Sequence, residues 1–159
     1  MKIAILFFGQ PRYLDKTYKY ILEEFNIPGC TIDYFGHFWE KIGFVPEDEK
    51  KEQLQVISKK EINNLLPFKG LTLENNSQLN RVCESMCTIN NILFNNTLPW
   101  PGDIEDFRYY IGQHYSIKQC YNLIAEYEQE NNFKYDIIVK ARTDVIYKNE
   151  PCYRNRDEY

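Results

Sequence analysis

Residues 2–12 read KIAILFFGQPR. Lys2–Phe8 carries no charge after its lysine and is short enough for a strand, far below the roughly 18 residues of a membrane span. Strict polar/apolar alternation is missing. That pattern belongs to a strand covered on both faces, as in a parallel sheet packed between helices. Gly9-Gln10-Pro11-Arg12 then closes the run with residues that favour a turn. The same stretch fits an export signal poorly: Ile3–Phe8 is shorter than a signal-peptide apolar core, and no small-residue cleavage site follows it.

Working outward, the chain alternates between the two periods. Leu14, Tyr18, Ile21, Leu22 and Phe25 recur at helical spacing, and Asn26, Pro28 and Gly29 end that helix. Thr31–Trp39 reads as a second strand and Val45–Lys51 as a polar loop. Leu54, Ile57, Ile62, Leu65 and Leu66 stripe a second helix, which Pro67 stops. Gly70–Glu74 is a short third strand. Leu79, Val82, Cys83, Met86, Ile89 and Leu93 mark a third helix with Ser77 as its candidate N-cap. Leu98–Asp106, rich in Pro and Gly, is a loop. Tyr110, Ile117, Tyr121 and Ile124 stripe a fourth helix reaching Glu130. Tyr135–Lys140 is a fourth strand, followed by Arg142-Thr143-Asp144 and the short apolar run Val145-Ile146-Tyr147. The order β-α-β-α-β-α-α-β predicts an α/β fold, a mainly parallel twisted sheet of Rossmann-like kind with helices on both faces. Residues 1–148 form one domain and 149–159 a polar C-terminal tail.

Composition narrows the function classes. The chain has 159 residues, 43% apolar and 26% charged, so it is globular rather than disordered. A net charge of -4 lacks the basic footprint of a nucleic-acid binder. No segment is apolar enough over enough length to span a membrane. The five cysteines, Cys30, Cys83, Cys87, Cys120 and Cys152, are odd in number and scattered. They are read as free thiols in a reducing, cytoplasmic compartment. Cys83 and Cys87 share a helix face, but a metal there needs two more ligands, and the chain has only two histidines, His37 and His114. Burial in the core is the simpler reading. Two glycosylation sequons, at Asn75 and Asn95, carry little weight in an Asn-rich chain without an export signal.

In open parallel sheets, ligands sit beyond the carboxyl ends of the strands. That rule selects Gly9–Arg12, His37–Trp39, the residues after Glu74, and Ala141–Asp144. Asp144 is a carboxylate just past a buried strand. With phosphate oxygens completing the shell it suits Mg²⁺ or Mn²⁺, and Arg142 suits phosphate through its planar fork. The competing reading is an ion pair that caps a strand end. Gly9 allows close backbone approach, Gln10 can read a base edge and Arg12 can meet phosphate; alternatively Gly9–Arg12 is a plain strand-to-helix turn. The turn matches neither the dinucleotide-binding glycine fingerprint nor the Walker pattern. His37 and Trp39 share one strand face with Asp33 and Phe35. They either contact a nucleoside or form a partly buried aromatic pair. Gln113, Ser116 and Lys118 either face a ligand or cap and solvate their helix. No Gly-x-Ser-x-Gly elbow is present.

Taken together, IAILFFGQPR (3–12), DYFGHFW (33–39), QHYSIK (113–118) and YDIIVKARTDVIY (135–147) resemble the nucleotide-binding half of a GT-A-fold glycosyltransferase. Arg142-Thr143-Asp144 matches that family's Asp-x-Asp motif in an Arg-x-Asp variant, with Asp144 at the last aspartate and Arg142 in place of the first. The resemblance implies transfer of a sugar from a nucleoside-diphosphate donor to a glycan or other acceptor. It implies that Gly9, Gln10, Pro11, Arg12 and His37 hold the nucleoside end, Arg142 and Asp144 the diphosphate, and Asp144 a divalent cation, Mn²⁺ or Mg²⁺. Such domains continue past the motif with an acceptor-binding half. Only residues 145–159 follow here, so the expectation is an incomplete transferase whose exposed edge favours self-association. A non-catalytic nucleotide-sugar binding module is the alternative reading, and an α/β protein whose polar loops do no chemistry is the third.

Overall fold

Ile3, Ala4, Ile5, Leu6 and Phe7 are all buried, which places the opening run at the centre of the molecule. The structure is a computed structural model and describes residues 1–42, 55–75, 77–78, 81–82, 85 and 104–145. Its elements are β1 (Lys2–Gly9), α1 (Leu14–Glu24), β2 (Thr31–Trp39), β3 (Lys41–Ile42), β4 (Gln55–Val56), α2 (Lys59–Leu65), β5 (Phe68–Glu74), α3 (Ile104–Asn131) and β6 (Ile137–Ala141). The expected loop at Val45–Lys51, the final run at 146–147 and the polar tail lie outside the described residues, as does most of the expected third helix.

Four strands form a sheet in the order β5-β2-β1-β6, and every pairing in it is parallel. The expected parallel α/β architecture is therefore present. The chain starts at β1, winds outward through β2 to β5, and then returns on α3 to lay β6 against the free side of β1. Strand order reverses between β1 and β6. Loops leaving the carboxyl ends on either side of such a reversal part from each other and open a crevice.

Strand alternation splits the core in two. Ile3, Ile5 and Phe7 of β1 and Tyr34 and Phe38 of β2 pack with Leu14 and Ile21 of α1 and with Ile62 of α2. Ala4, Leu6 and Phe35 point the other way, against Cys120 and Ile124 of α3 and against Tyr135. Gly36 stands opposite Phe7 in the register. A Cβ there would lie 2.8 Å from the Phe38 ring and 2.9 Å from both Leu71 and Phe68, so the close aromatic packing on this face requires glycine.

Several boundaries differ from the sequence expectation, each for a local reason. α2 starts at Lys59, not near Leu54, because Ser58 caps it: its hydroxyl accepts from the Glu61 amide and the Glu61 carboxylate accepts from the Ser58 amide. The residues just before the cap pair as β4 with β3 in a two-stranded antiparallel ribbon, too short to leave a periodic signal. Leu66, next to Pro67, takes extended backbone angles and ends α2 as expected. α3 begins at Ile104, inside the stretch read as a loop, and runs for 28 residues. β5 opens two residues earlier than expected and β6 two residues later. β6 is an outer strand of the described sheet, with Ile137 and Ile138 exposed.

Candidate functional site

Gly9 ends β1 with φ +94, a conformation that L side chains rarely adopt. A Cβ at Gly9 would meet nothing within 4 Å, so the glycine serves backbone shape and approach rather than packing. The chain then turns tightly: the Arg12 amide donates to the Gln10 carbonyl at 2.8 Å, and Arg12 Nε donates to Gln10 Oε1 at 2.6 Å. Pro11 is buried and its carbonyl accepts from the Leu14 amide. Tyr13 follows with φ 55 as the N-cap of α1.

The loop after β6 meets this turn. Thr143 Oγ1 donates to the Gln10 carbonyl at 3.2 Å. The Thr143 carbonyl in turn accepts from Thr17 Oγ1 of α1 at 2.6 Å. Two segments more than 130 positions apart are thus tied to each other and to the first helix. Within the loop, Arg142 Nε donates to Asp144 Oδ1 at 2.8 Å and Nη2 to Oδ2 at 2.7 Å, a two-pronged fork. Those bonds hold the Asp144 carboxyl below its ordinary pKa; burial opposes the shift, and Arg12 adds a smaller effect in the same direction.

These groups wall a cleft of about 100 Å³ at the strand-order reversal. Phe8, Gly9, Gln10 and Arg12 come from the end of β1, and Arg142, Thr143 and Asp144 from the loop after β6. Trp39 of β2 and Gly112 and Gln113 of α3 complete the wall. The helix reaches the cleft because a crossover between parallel strands runs antiparallel to them. Its N-terminal half therefore lies over the strands' carboxyl ends. Among the described residues the formal charges on the wall, Arg12, Arg142 and Asp144, leave an excess of one positive charge, which suits an anionic ligand.

Of the residues singled out in the sequence, Gly9, Gln10, Arg12, Arg142 and Asp144 share this wall, as does Gln113. Pro11 does not. The ion-pair reading of Arg142 and Asp144 and the ligand reading coexist, since the pair itself lines the cleft and Arg142 is 58% exposed. His37 is placed elsewhere. It is fully buried behind Trp39, with ring centroids 5.3 Å apart, and beside Tyr115 of α3 at 5.5 Å. Trp39 offers no open face for stacking: it is 4% exposed and Tyr115 stacks on it. Burial lowers the His37 pKa, against the pull of Glu74, whose Oε1 is 3.4 Å from His37 Nε2. Tyr115 donates to the same Glu74 oxygen at 3.1 Å. His37 Nδ1 and Nε2, Glu74 Oε2 and Ser116 Oγ are buried without a hydrogen-bond partner. Lys118, two residues on, is exposed.

The residues fit a divalent cation poorly. Among the described residues Asp144 is the only carboxylate on the cleft wall, and both its oxygens already accept from Arg142. Among the described residues no group of three His, Cys, Asp or Glu side chains could hold a metal ion. Cys30 and Cys120 are free thiols, and burial pushes the Cys120 thiol up to about 12, so it is inert. Cys83, Cys87 and Cys152 lie outside the described residues. Among the described residues no helix is long and apolar enough to cross a membrane. Thr17, Phe8 and Gly112 were not singled out from the sequence. Thr17 carries no local signal, because its partner is a carbonyl at the far end of the chain. The chain matches no known family model, no curated protein and no solved structure.

Proposed function

We propose that the cleft binds the diphosphate of a nucleotide-sugar donor and that the protein is a glycosyltransferase of GT-A type. The observation that carries this reading is the meeting of the Gly9–Arg12 turn and the Arg142–Asp144 loop on one wall at the strand-order reversal. Two guanidinium groups and one carboxylate, with Gln10 and Gln113 beside them, match the needs of a diphosphate with a polar nucleoside attached. During transfer, the bond between the anomeric carbon and the β-phosphate oxygen breaks, an acceptor hydroxyl oxygen takes its place, and the hydroxyl proton leaves to solvent. Negative charge grows on the departing diphosphate. Arg142 and Arg12 supply fixed positive charge there, and such preorganised charge is worth more in a partly enclosed site than in water. Free thiols at Cys30 and Cys120 agree with a reducing, cytoplasmic setting.

Asp144 is held by Arg142, and among the described residues no other carboxylate lies on the cleft wall. This favours, as a second reading, a module that binds the donor without turnover. The test is a thermal-shift screen of UDP-, GDP-, CMP- and dTDP-sugars, followed by measurement of nucleotide release from each binder. A ligand at 100 times its Kd adds about 2.7 kcal/mol of stability. Binding with release supports the transferase, binding without release supports the module, and no shift with any donor refutes both.

A further inference from the structure

The family resemblance calls for a divalent cation between an aspartate and the diphosphate, and the side chains present point elsewhere. Asp144 gives one oxygen to Arg142 Nε and the other to Nη2, at 2.8 and 2.7 Å. A metal bridging Asp144 to a ligand would first have to displace a well-aligned charged fork. Among the described residues the charged groups beside Asp144 on the wall are cationic. Arg12 lines the same wall, and its guanidinium is braced by Gln10 Oε1 at 2.6 Å. Arg142 occupies the position where the Asp-x-Asp pattern has its first acid. That exchange replaces a negative group with a positive one, a change of two charge units in favour of an anion.

We infer that this cleft takes a diphosphate directly on Arg12 and Arg142 without a divalent cation, and that Asp144 is a positioning residue holding the Arg142 guanidinium flat against the wall. The inference rests on the reading of the cleft as a diphosphate site. The fork fixes two of the five guanidinium N–H groups and sets the plane of the rest. The Thr17–Thr143–Gln10 hydrogen bonds fix the loop that carries it. Asp144 then acts on the ligand only through Arg142. Its own charge faces an anion unfavourably, which is opposite to the contribution of a metal ligand.

The experiment is calorimetric titration of the full chain with inorganic pyrophosphate, UDP and GDP, each in EDTA and each in excess Mn²⁺. The expected result is binding in EDTA with a Kd within about three-fold of that in Mn²⁺. Asp144→Asn breaks one prong of the fork and should lower pyrophosphate affinity by the same modest factor, about three-fold, in EDTA and in Mn²⁺, whereas Arg142→Gln should lose ten-fold or more in both. Binding that appears only with Mn²⁺ and vanishes in Asp144→Asn would overturn the inference while leaving the donor-site reading intact. Absence of binding by all three probes under both conditions would remove the donor-site reading and the inference together. The wild-type comparison decides the point even if a variant fails to fold.

Discussion

Replacing Thr17 with valine removes one hydroxyl from the joint that holds the cleft wall together. Thr17 is 5% exposed, and valine matches its shape and its low helix propensity. What changes is the hydrogen bond from Thr17 Oγ1 to the Thr143 carbonyl at 2.6 Å. The same hydroxyl lies 3.0 Å from the Tyr13 carbonyl, but it has a single proton, and the shorter contact takes it. Losing a neutral hydrogen bond costs about 1 kcal/mol net, and stranding its buried acceptor adds a further cost of order 1 kcal/mol. The expected destabilisation is therefore about 2 kcal/mol, a fall in Tm of roughly 4–8 °C for a chain of this size. Thr17→Ser keeps the hydroxyl and loses one buried methyl, about 1 kcal/mol. Urea unfolding followed by circular dichroism should show a lower midpoint with an unchanged slope in both variants, larger in valine. Pyrophosphate affinity should fall in the valine variant and hold in the serine one. A valine variant within about 1 kcal/mol of the wild type, half the expected effect, or a serine variant worse than valine, would refute the bridging role.

Three further outcomes are expected. Gly36→Ala should cost about 1–3 kcal/mol by forcing apart Phe38, Phe68 and Leu71; a melting curve coincident with the wild type would show that the rings can give way freely. Gly9→Ala should cost about 1–2 kcal/mol from backbone strain alone, and weaken pyrophosphate binding, with chemical denaturation and calorimetry as the two readouts. His37 has a folded-state pKa below its unfolded value of 6.5, so the unfolded chain takes up the proton first. Its contribution is fully present above pH 6.5 and is lost as pH falls toward the folded value, with a slope of up to about 1.4 kcal/mol per pH unit. The slope between pH 5 and 6.5 should flatten in His37→Gln, and an identical slope in that variant would contradict a buried neutral imidazole.

The strands β1 and β2 were readable because burial on both faces leaves uninterrupted apolar runs, KIAILFF and the aromatic-rich TIDYFGHFW. The crevice was readable because parallel strands force their carboxyl ends to one edge, which brings Gly9–Arg12 and Arg142–Asp144 within reach of each other. Depth was not readable. Alternation put His37 and Trp39 on one strand face with Asp33 and Phe35, but period two says nothing about what lies over a residue, and Trp39 and Tyr115 cover His37. The start of α2 was missed because an apolar stripe beginning at Leu54 outweighed the Ser58–Glu61 capping box. The β3–β4 ribbon was missed because two-residue pairings carry no period. The Arg142–Asp144 fork depends on a backbone turn that spacing alone does not specify, and the Thr17–Thr143 bond joins positions that no local pattern relates.

The most direct measurement is a ¹⁵N amide chemical-shift titration of the full chain with UDP-glucose and GDP-mannose. The account predicts that the largest shifts fall on Gly9, Gln10, Arg12, Gln113, Thr143 and Asp144, with α2 and the far end of α3 unmoved. Shifts centred on another surface, with those six amides silent, would contradict it.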